Sequence, residues 1–292
     1  MSVSKSMYKP EYSTAQDIFY DFCLWEYAPL SRPENKLSSS NLLFHSFEFT
    51  GLSDRIYDLM GAIRAGFGVS RTVWGVKKLG NDICWEFYFY DYRRKERERS
   101  IPMLLEFIRP LVPCRIKANE NLHYFMFSID IDGALVSGKR DLDEIHMYIG
   151  NPGSSVSSGI CYSVTTSGTR LENFYFFFDA KKEMEDIMAK AVCSAHVDFT
   201  VIDINRVLWP EMKTGQVIVV ANKQGNDAVY FSRVTVDQLL FFLRRMGYPR
   251  DLIAFVEGNR SKLDHLLFDA GYDYRMEGGN LRILKSGYYG VF

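Results

Sequence analysis

Apolar residues recur along this chain with two periods, and the period of two dominates. In the stretch Trp85 to Tyr90, Trp85, Phe87 and Phe89 take one parity, while Glu86, Tyr88 and Tyr90 take the other. A strand projects the two sets onto opposite faces of a sheet. The same split returns at 123–131, where Phe125, Phe127 and Ile129 oppose Met126, Ser128 and Asp130. It returns again at 143–149, where Ile145, Met147 and Ile149 oppose His146 and Tyr148. At 171–178, Phe174, Phe176 and Phe178 oppose Asn173, Tyr175 and Phe177. One face is apolar, and the other is tyrosine-rich and polar. An open sheet's wet face would carry more lysine and glutamate.

These patterns predict strand pairs separated by helices. The pairs are 71–79 with 83–92, 123–131 with 143–149, 159–166 with 171–178, 197–204 with 216–223 followed by a strand at 228–233, and 271–276 with 280–289. Helical spacing predicts helices over 14–28 and 52–66, capped by Ser13 and Ser53, on either side of a polar loop at 29–41. Further helices are predicted at 101–111, at 180–194 with Asp179 as cap, and at 235–247, 249–257 and 260–267. The segment 151–159 reads as a flexible connection. Strands in antiparallel pairs give an α+β fold without the alternation that a parallel sheet needs. The tyrosine-rich face reads as the lumen of a closed barrel of about ten strands, greasy outside under helices. No linker divides the 292 residues, so one domain is expected, with residues 1–70 in the outer ring of helices.

Composition changes this picture little. The aromatic fraction of 15% supports a lined chamber, and a net charge of −1 argues against a nucleic-acid partner. The five cysteines lack metal or disulfide spacing, so reduced thiols in a cytoplasmic protein are expected. No run reaches the length of a membrane span and no apolar leader opens the chain. Nucleophile-elbow, dinucleotide, P-loop and zinc-protease motifs are absent. His146, His196 and His265 lack metal spacing and read as structural, as Cys161 reads as core.

Several segments, in order, resemble the soluble aromatic prenyltransferases of the ABBA barrel type, in particular the bacterial phenol and phenazine members. They are TVWGVKKLGNDICWEFYF, FMFSIDIDGALVSGKRDLDEIHMYIG, ICYSVTTSGTRLENFYFFF, DFTVIDINRVLWPEMKTGQVIVVA and RILKSGYYGVF, spread over residues 70–292. The resemblance implies ten antiparallel strands around a chamber, ringed by helices. It implies an enzyme of secondary metabolism that joins an allylic diphosphate donor to an aromatic acceptor, acting as a monomer away from membranes. No cofactor would be required, with Mg²⁺ an option.

That chemistry needs fixed positive charge for the leaving diphosphate and aromatic faces for the allylic cation. Lys77 shares inward parity with Val73 and Gly75. Lys285 and Tyr289 lie four residues apart, and they match the family's donor-binding Lys and Tyr on the closing strand. Arg233, Lys223 and Arg170 stand behind them as further cations. Tyr88, Tyr148, Tyr175, Tyr230 and Tyr289 are the shielding rings, with Asn173 beside them; singly, a strand tyrosine is more often packing than function. Glu86 takes the place of a metal-binding Asp in some relatives. It is open to three roles: binding Mg²⁺, orienting an acceptor hydroxyl, or, by default, pairing with a lysine. The chain departs from the family at Asp143 or Glu144, Thr169 and Val219, where relatives carry diphosphate-binding Lys or Arg, and no D-D-x-x-D motif is present.

Overall fold

The structure, a computed structural model, describes residues 8–151 and 156–292; of the connection expected at 151–159, residues 152–155 lie outside the described residues and 157–159 belong to a strand. A two-residue ladder, β1 (Phe19–Tyr20) with β2 (Glu26–Tyr27), comes first, then helices α1 (Ser40–Thr50) and α2 (Arg55–Phe67). The strands β3 (Thr72–Leu79) and β4 (Asp82–Tyr90) form a hairpin followed by α3 (Ile101–Ile108). Next come β5 (Tyr124–Ile131), the short α4 (Gly133–Val136), β6 (Ile145–Gly150), β7 (Ser157–Thr165), β8 (Gly168–Asp179) and α5 (Met184–Val192). The chain ends with β9 (Val217–Lys223), β10 (Asp227–Val234), α6 (Val236–Arg245), α7 (Arg250–Gly258), α8 (Arg260–Leu263), β11 (Phe268–Glu277) and β12 (Asn280–Val291).

Among the described residues, β3 to β12 close into one antiparallel barrel in sequence order, β12 pairing with β3 through Tyr289 opposite Gly75 and Val291 opposite Val73. Closure leaves no unpaired edge. Helices surround the barrel: α1 packs on β3, α5 on β8 and β9, and α6 on β10 and β11. This is the ABBA barrel architecture. The tight turns of β3–β4, β7–β8, β9–β10 and β11–β12 lie at one end together with the α4 connection, and the connections through α3, α5 and α6 to α8 leave from the other.

Parity decides what each face meets. Trp74, Val76, Trp85, Phe87, Phe127, Ile129 and Phe231 are buried outside the barrel against Leu42, Phe47, Leu104 and Leu243 of the helices. Trp85 Nε1 donates to Ser46 Oγ at 2.7 Å, which ties α1 to the wall. A separate inner cluster holds Val73, Tyr90, Met126, Tyr148, Cys161 and Tyr289.

Three expectations are corrected. Residues 14–28 form no helix, because Asp21 accepts the N–H groups of Cys23 and Trp25 and Leu24 takes a positive φ of 55°. The result is a turn that straps one barrel mouth. A helix not foreseen, α1, follows the polar loop and ends at Gly51, whose φ of 65° suits glycine. Residues 197–204 form no strand, since Asp198 binds the N–H and hydroxyl of Thr200 and curls the segment. The partner of β9 is β10, through a tight turn at 224–226.

The inner face needs small residues where rings cross the lumen. A Cβ on Gly271 would lie 2.2 Å from Tyr230 and 2.7 Å from the Val229 carbonyl oxygen, which the sheet holds in place. Gly271→Val should therefore lower stability by about 1–3 kcal/mol through overpacking. Gly225→Ala, with open space around it, should stay within about 0.5 kcal/mol of wild type. Urea denaturation of both variants checks this, and equal midpoints would contradict the packing described.

Candidate functional site

Five inward tyrosines come from alternate strands: Tyr88 on β4, Tyr148 on β6, Tyr175 on β8, Tyr230 on β10 and Tyr289 on β12. Their rings form a closed circuit. Neighbouring centroids lie 6.3 Å apart for Tyr88–Tyr148, 5.9 Å for Tyr148–Tyr175 and 6.3 Å for Tyr175–Tyr230. The circuit closes through Tyr230–Tyr289 at 6.3 Å and Tyr289–Tyr88 at 6.1 Å. The intervening strands supply small neighbours: Ser128 beside Tyr88, Cys161 beside Tyr148, Ala221 beside Tyr175, Gly271 beside Tyr230 and Gly75 beside Tyr289. Alternating large and small side chains lets one layer of rings fill a belt without strain. Burial holds all five phenols well above their ordinary pKa, so the belt presents neutral rings.

The belt divides the lumen. Toward the hairpin turns lies a charged end. Lys77 Nζ sits 2.6 and 2.7 Å from the two oxygens of Asp130 and 3.4 Å from Glu86. Lys223 Nζ donates to Asp273 at 2.8 Å and to the Tyr230 hydroxyl at 3.2 Å. Lys285 Nζ stands 3.7 Å from the same Asp273 oxygen, beyond hydrogen-bond reach, while the other oxygen of Asp273 is buried without a hydrogen bond. Three lysines thus face three carboxylates.

Titration follows from that arrangement. Burial opposes the charge of Glu86, but Lys77 outweighs it and holds the carboxyl down at about 2. Burial likewise opposes the charge of Lys77, and Glu86 and Asp130 overcome it, raising its pKa. Asp273 favours the charge of Lys285, but burial together with the charges of Lys223 and Lys77 prevails and lowers its pKa. The Tyr148 and Glu86 groups both reach Ser128 Oγ, at 3.4 and 3.2 Å, and Asn173 Nδ2 donates to the Tyr175 hydroxyl at 3.2 Å. The polar edge of the belt therefore joins the charged end.

On the other side of the belt a cavity of about 180 Å³ opens past Val73, Tyr90, Met126 and Phe177 to a mouth formed by Phe22, Trp25, Tyr92, Arg94 and Phe125. Phe125 has outward parity, but a register shift between Tyr124 and Met126 turns it to the mouth, where it stacks on Tyr92 at 5.7 Å. The strap closes one side of this mouth. Phe22 N–H donates to Asp269 at 2.9 Å, and the Tyr92 hydroxyl donates to the Cys23 carbonyl at 2.7 Å.

Of the residues singled out from the sequence, Lys77, Glu86, Tyr88, Tyr148, Asn173, Tyr175, Lys223, Tyr230, Lys285 and Tyr289 all converge on this lumen. Two do not join them. Arg233, at a positive φ of 59°, turns toward the strap and donates to Asp21 at 2.9 Å. Arg170 lies on the exposed rim, paired with Glu172 at 2.5 Å. Asp130 and Asp273 were not anticipated as site residues. Asp130 shares parity with Ser128, which was a usable signal. Asp273 faces Lys285 only because the ladder slips by one residue between Asp273 and Tyr274, which the sequence does not announce.

Among the described residues no group of three or more His, Cys, Asp or Glu side chains could hold a metal ion, and Glu86 and Asp130 are both committed to Lys77. These residues do not fit a resident Mg²⁺. Among the described residues no helix is long and apolar enough to cross a membrane. No protein-family model matches the sequence, and no curated protein matches it.

The strap has its own titration. Asp269 is buried beside Asp21, and burial with that neighbouring charge pushes its carboxyl up to about 8. A raised acid contributes stability that is complete below its unfolded pKa of about 4 and is lost as pH rises through the folded value. Stability should therefore fall between about pH 4 and about pH 8, and Asp269→Asn should flatten that slope. Denaturation midpoints of the two proteins across this range test it; parallel slopes would sink the assignment.

Proposed function

We propose that this chain transfers an allylic prenyl group from its diphosphate to an electron-rich aromatic acceptor. One observation carries the reading: a closed belt of neutral tyrosine rings separates a lysine-bearing end from an apolar cavity. The reaction needs those three environments in that order. The diphosphate lies toward Lys285, Lys223 and Lys77, the allyl group lies within the belt, and the acceptor ring stacks in the cavity.

The C–O bond of the donor breaks and its electron pair leaves with the diphosphate. Lysine donors stabilise that growing charge most when it is fullest. The allylic cation lies against ring faces that stabilise it and exclude water. Neutral phenols compete poorly with the acceptor for the cation, which is the use of burying them. The acceptor ring supplies the new C–C bond's electrons, and the proton it releases passes to the departing diphosphate. Glu86, held at about 2 by Lys77, is too weak a base for that proton. It serves instead as the charge partner of Lys77 and, through Ser128, as an acceptor in the hydroxyl network. No resident cofactor takes part; Mg²⁺ would enter only as a counter-ion carried by the diphosphate.

Lys285 is the donor least committed to the protein, so a phosphate oxygen meets it at the lowest cost in broken pairs. The matched charges favour a second reading, a barrel that binds a neutral hydrophobic small molecule or peptide without turnover. Lys285→Ala should lower pyrophosphate release from dimethylallyl diphosphate on the order of a hundredfold. Lys78→Ala, on the outward parity, should match wild type. Equal loss in both variants would refute the lysine assignment, and calorimetry showing no binding of dimethylallyl diphosphate to wild type would leave the binding barrel.

A further inference from the structure

The belt fixes the level of a second layer of side chains. Two residues from the belt toward the hairpin turns, Lys77, Glu86, Asp130, His146, Lys223 and Asp273 face the lumen from six different strands. In barrel order the basic groups of this end recur at every third strand: Lys77 on β3, His146 on β6, Lys223 on β9 and Lys285 on β12. His146 reads as structural from the sequence, yet it stands among the charges. Among the described residues it is the basic group that β4 to β8 turn into this layer, since Arg170 lies on the exposed rim with Glu172.

The imidazole is uncommitted. His146 Nε2 stands 3.9 Å from Glu144 Oε2, beyond hydrogen-bond reach, and the other oxygen of Glu144 already accepts from Ser163 Oγ. No ring nitrogen of His146 has a hydrogen bond among the described residues. Its cross-strand neighbours are two hydroxyls, Ser128 on β5 and Ser163 on β7. The side chain is 18% exposed, against 5% for Lys77 and 9% for Lys223, so a ligand in the charged end can reach it.

We infer that His146 is the fourth cationic contact of a diphosphate in this chamber, engaged when its imidazole is protonated, so that pH sets the affinity for the donor. The inference rests on the diphosphate lying at the lysine end as proposed above, and it adds a control of that site. Lysines on β3, β9 and β12 leave the oxygens that face β5 to β8 without a cation. An imidazolium there supplies a charge-assisted donor, and a neutral imidazole supplies a weaker one. The groups around it hold their charge while histidine changes its own near pH 6.5. Lys77 holds Glu86 at about 2, Glu86 and Asp130 keep Lys77 protonated, and burial keeps the Tyr148 phenol neutral. Glu144 on the same strand and Asp130 on β5 are the other carboxylates facing the ring.

Calorimetry with inorganic pyrophosphate reads the contact without turnover. At about pH 5.5, below the ordinary histidine value, wild type should bind about tenfold more tightly than His146→Gln, the worth of one charge-assisted hydrogen bond. At about pH 8.5 the two proteins should bind equally. Comparing them at each pH cancels the titration of pyrophosphate itself. His146→Lys should keep the tight binding at both values. A ratio of one throughout, a ratio equal at both pH values as a merely structural histidine would give, or a lysine variant no better than glutamine at the alkaline end would each overturn the inference. Pyrophosphate release from dimethylallyl diphosphate by wild type separates the two readings. Release with a flat ratio sinks this inference alone, and a pH-dependent ratio without release sinks prenyl transfer alone. No pyrophosphate bound by wild type at either pH would sink both.

Discussion

Every inward side chain of a closed barrel competes for the same axis, and that constraint organises this molecule. Ten strands cannot all send a ring to one level of the lumen. Five do, from alternate strands, and the strands between them answer with glycine, alanine, serine or cysteine. Gly75 and Gly271 are the clearest cases, because a Cβ at either would strike Tyr289 or Tyr230 at 2.6 and 2.2 Å. The layer is thus a packing solution before it is a chemical one. Its chemistry follows from the packing: rings shielded from water stay neutral, and their hydroxyls are left facing the charged end.

The charged end obeys a second constraint. Burying a lysine in such a chamber is costly unless an opposite charge accompanies it. Lys77 has two carboxylates, while Lys223 and Lys285 share one. The asymmetry makes Lys77 a structural cation and leaves Lys285 with donors to spare. In the proposed reaction, a ligand phosphate near Lys285 would complete an unfinished set of hydrogen bonds instead of dismantling a finished one.

Parity made the barrel legible from residues alone. Trp85, Phe87 and Phe89 against Glu86, Tyr88 and Tyr90 already separate outside from lumen, and the five tyrosines follow from the same count. Legibility failed where side chains rewrite the backbone locally. Asp21 turned an apolar segment with helical spacing into a strap, and Asp198 curled a segment with strand-like residues. Bulges did the rest, turning Phe125 to the mouth and setting Asp273 opposite Lys285. Such slips are tertiary adjustments that a period of two cannot encode.

The strap joins these strands of argument. Arg233 follows Phe231 by two residues and shares its outward parity, but the ladder slips between Phe231 and Val234, and at the mouth Asp21 takes its guanidinium while Asp269 takes its backbone N–H. The guanidinium pairs with Asp21, and burial beside that carboxylate raises the pKa of Asp269, whose oxygens accept the backbone N–H groups of Arg233 and Phe22. Arg233 thus ties down the strap that carries Phe22 and Trp25 over the cavity. Arg233 therefore neutralises Asp21 at the mouth end, opposite the lysines, and the strap it holds encloses the aromatic slot. That enclosure is what the proposed chemistry asks for, since excluding water from an allylic cation matters there as much as gripping the leaving group.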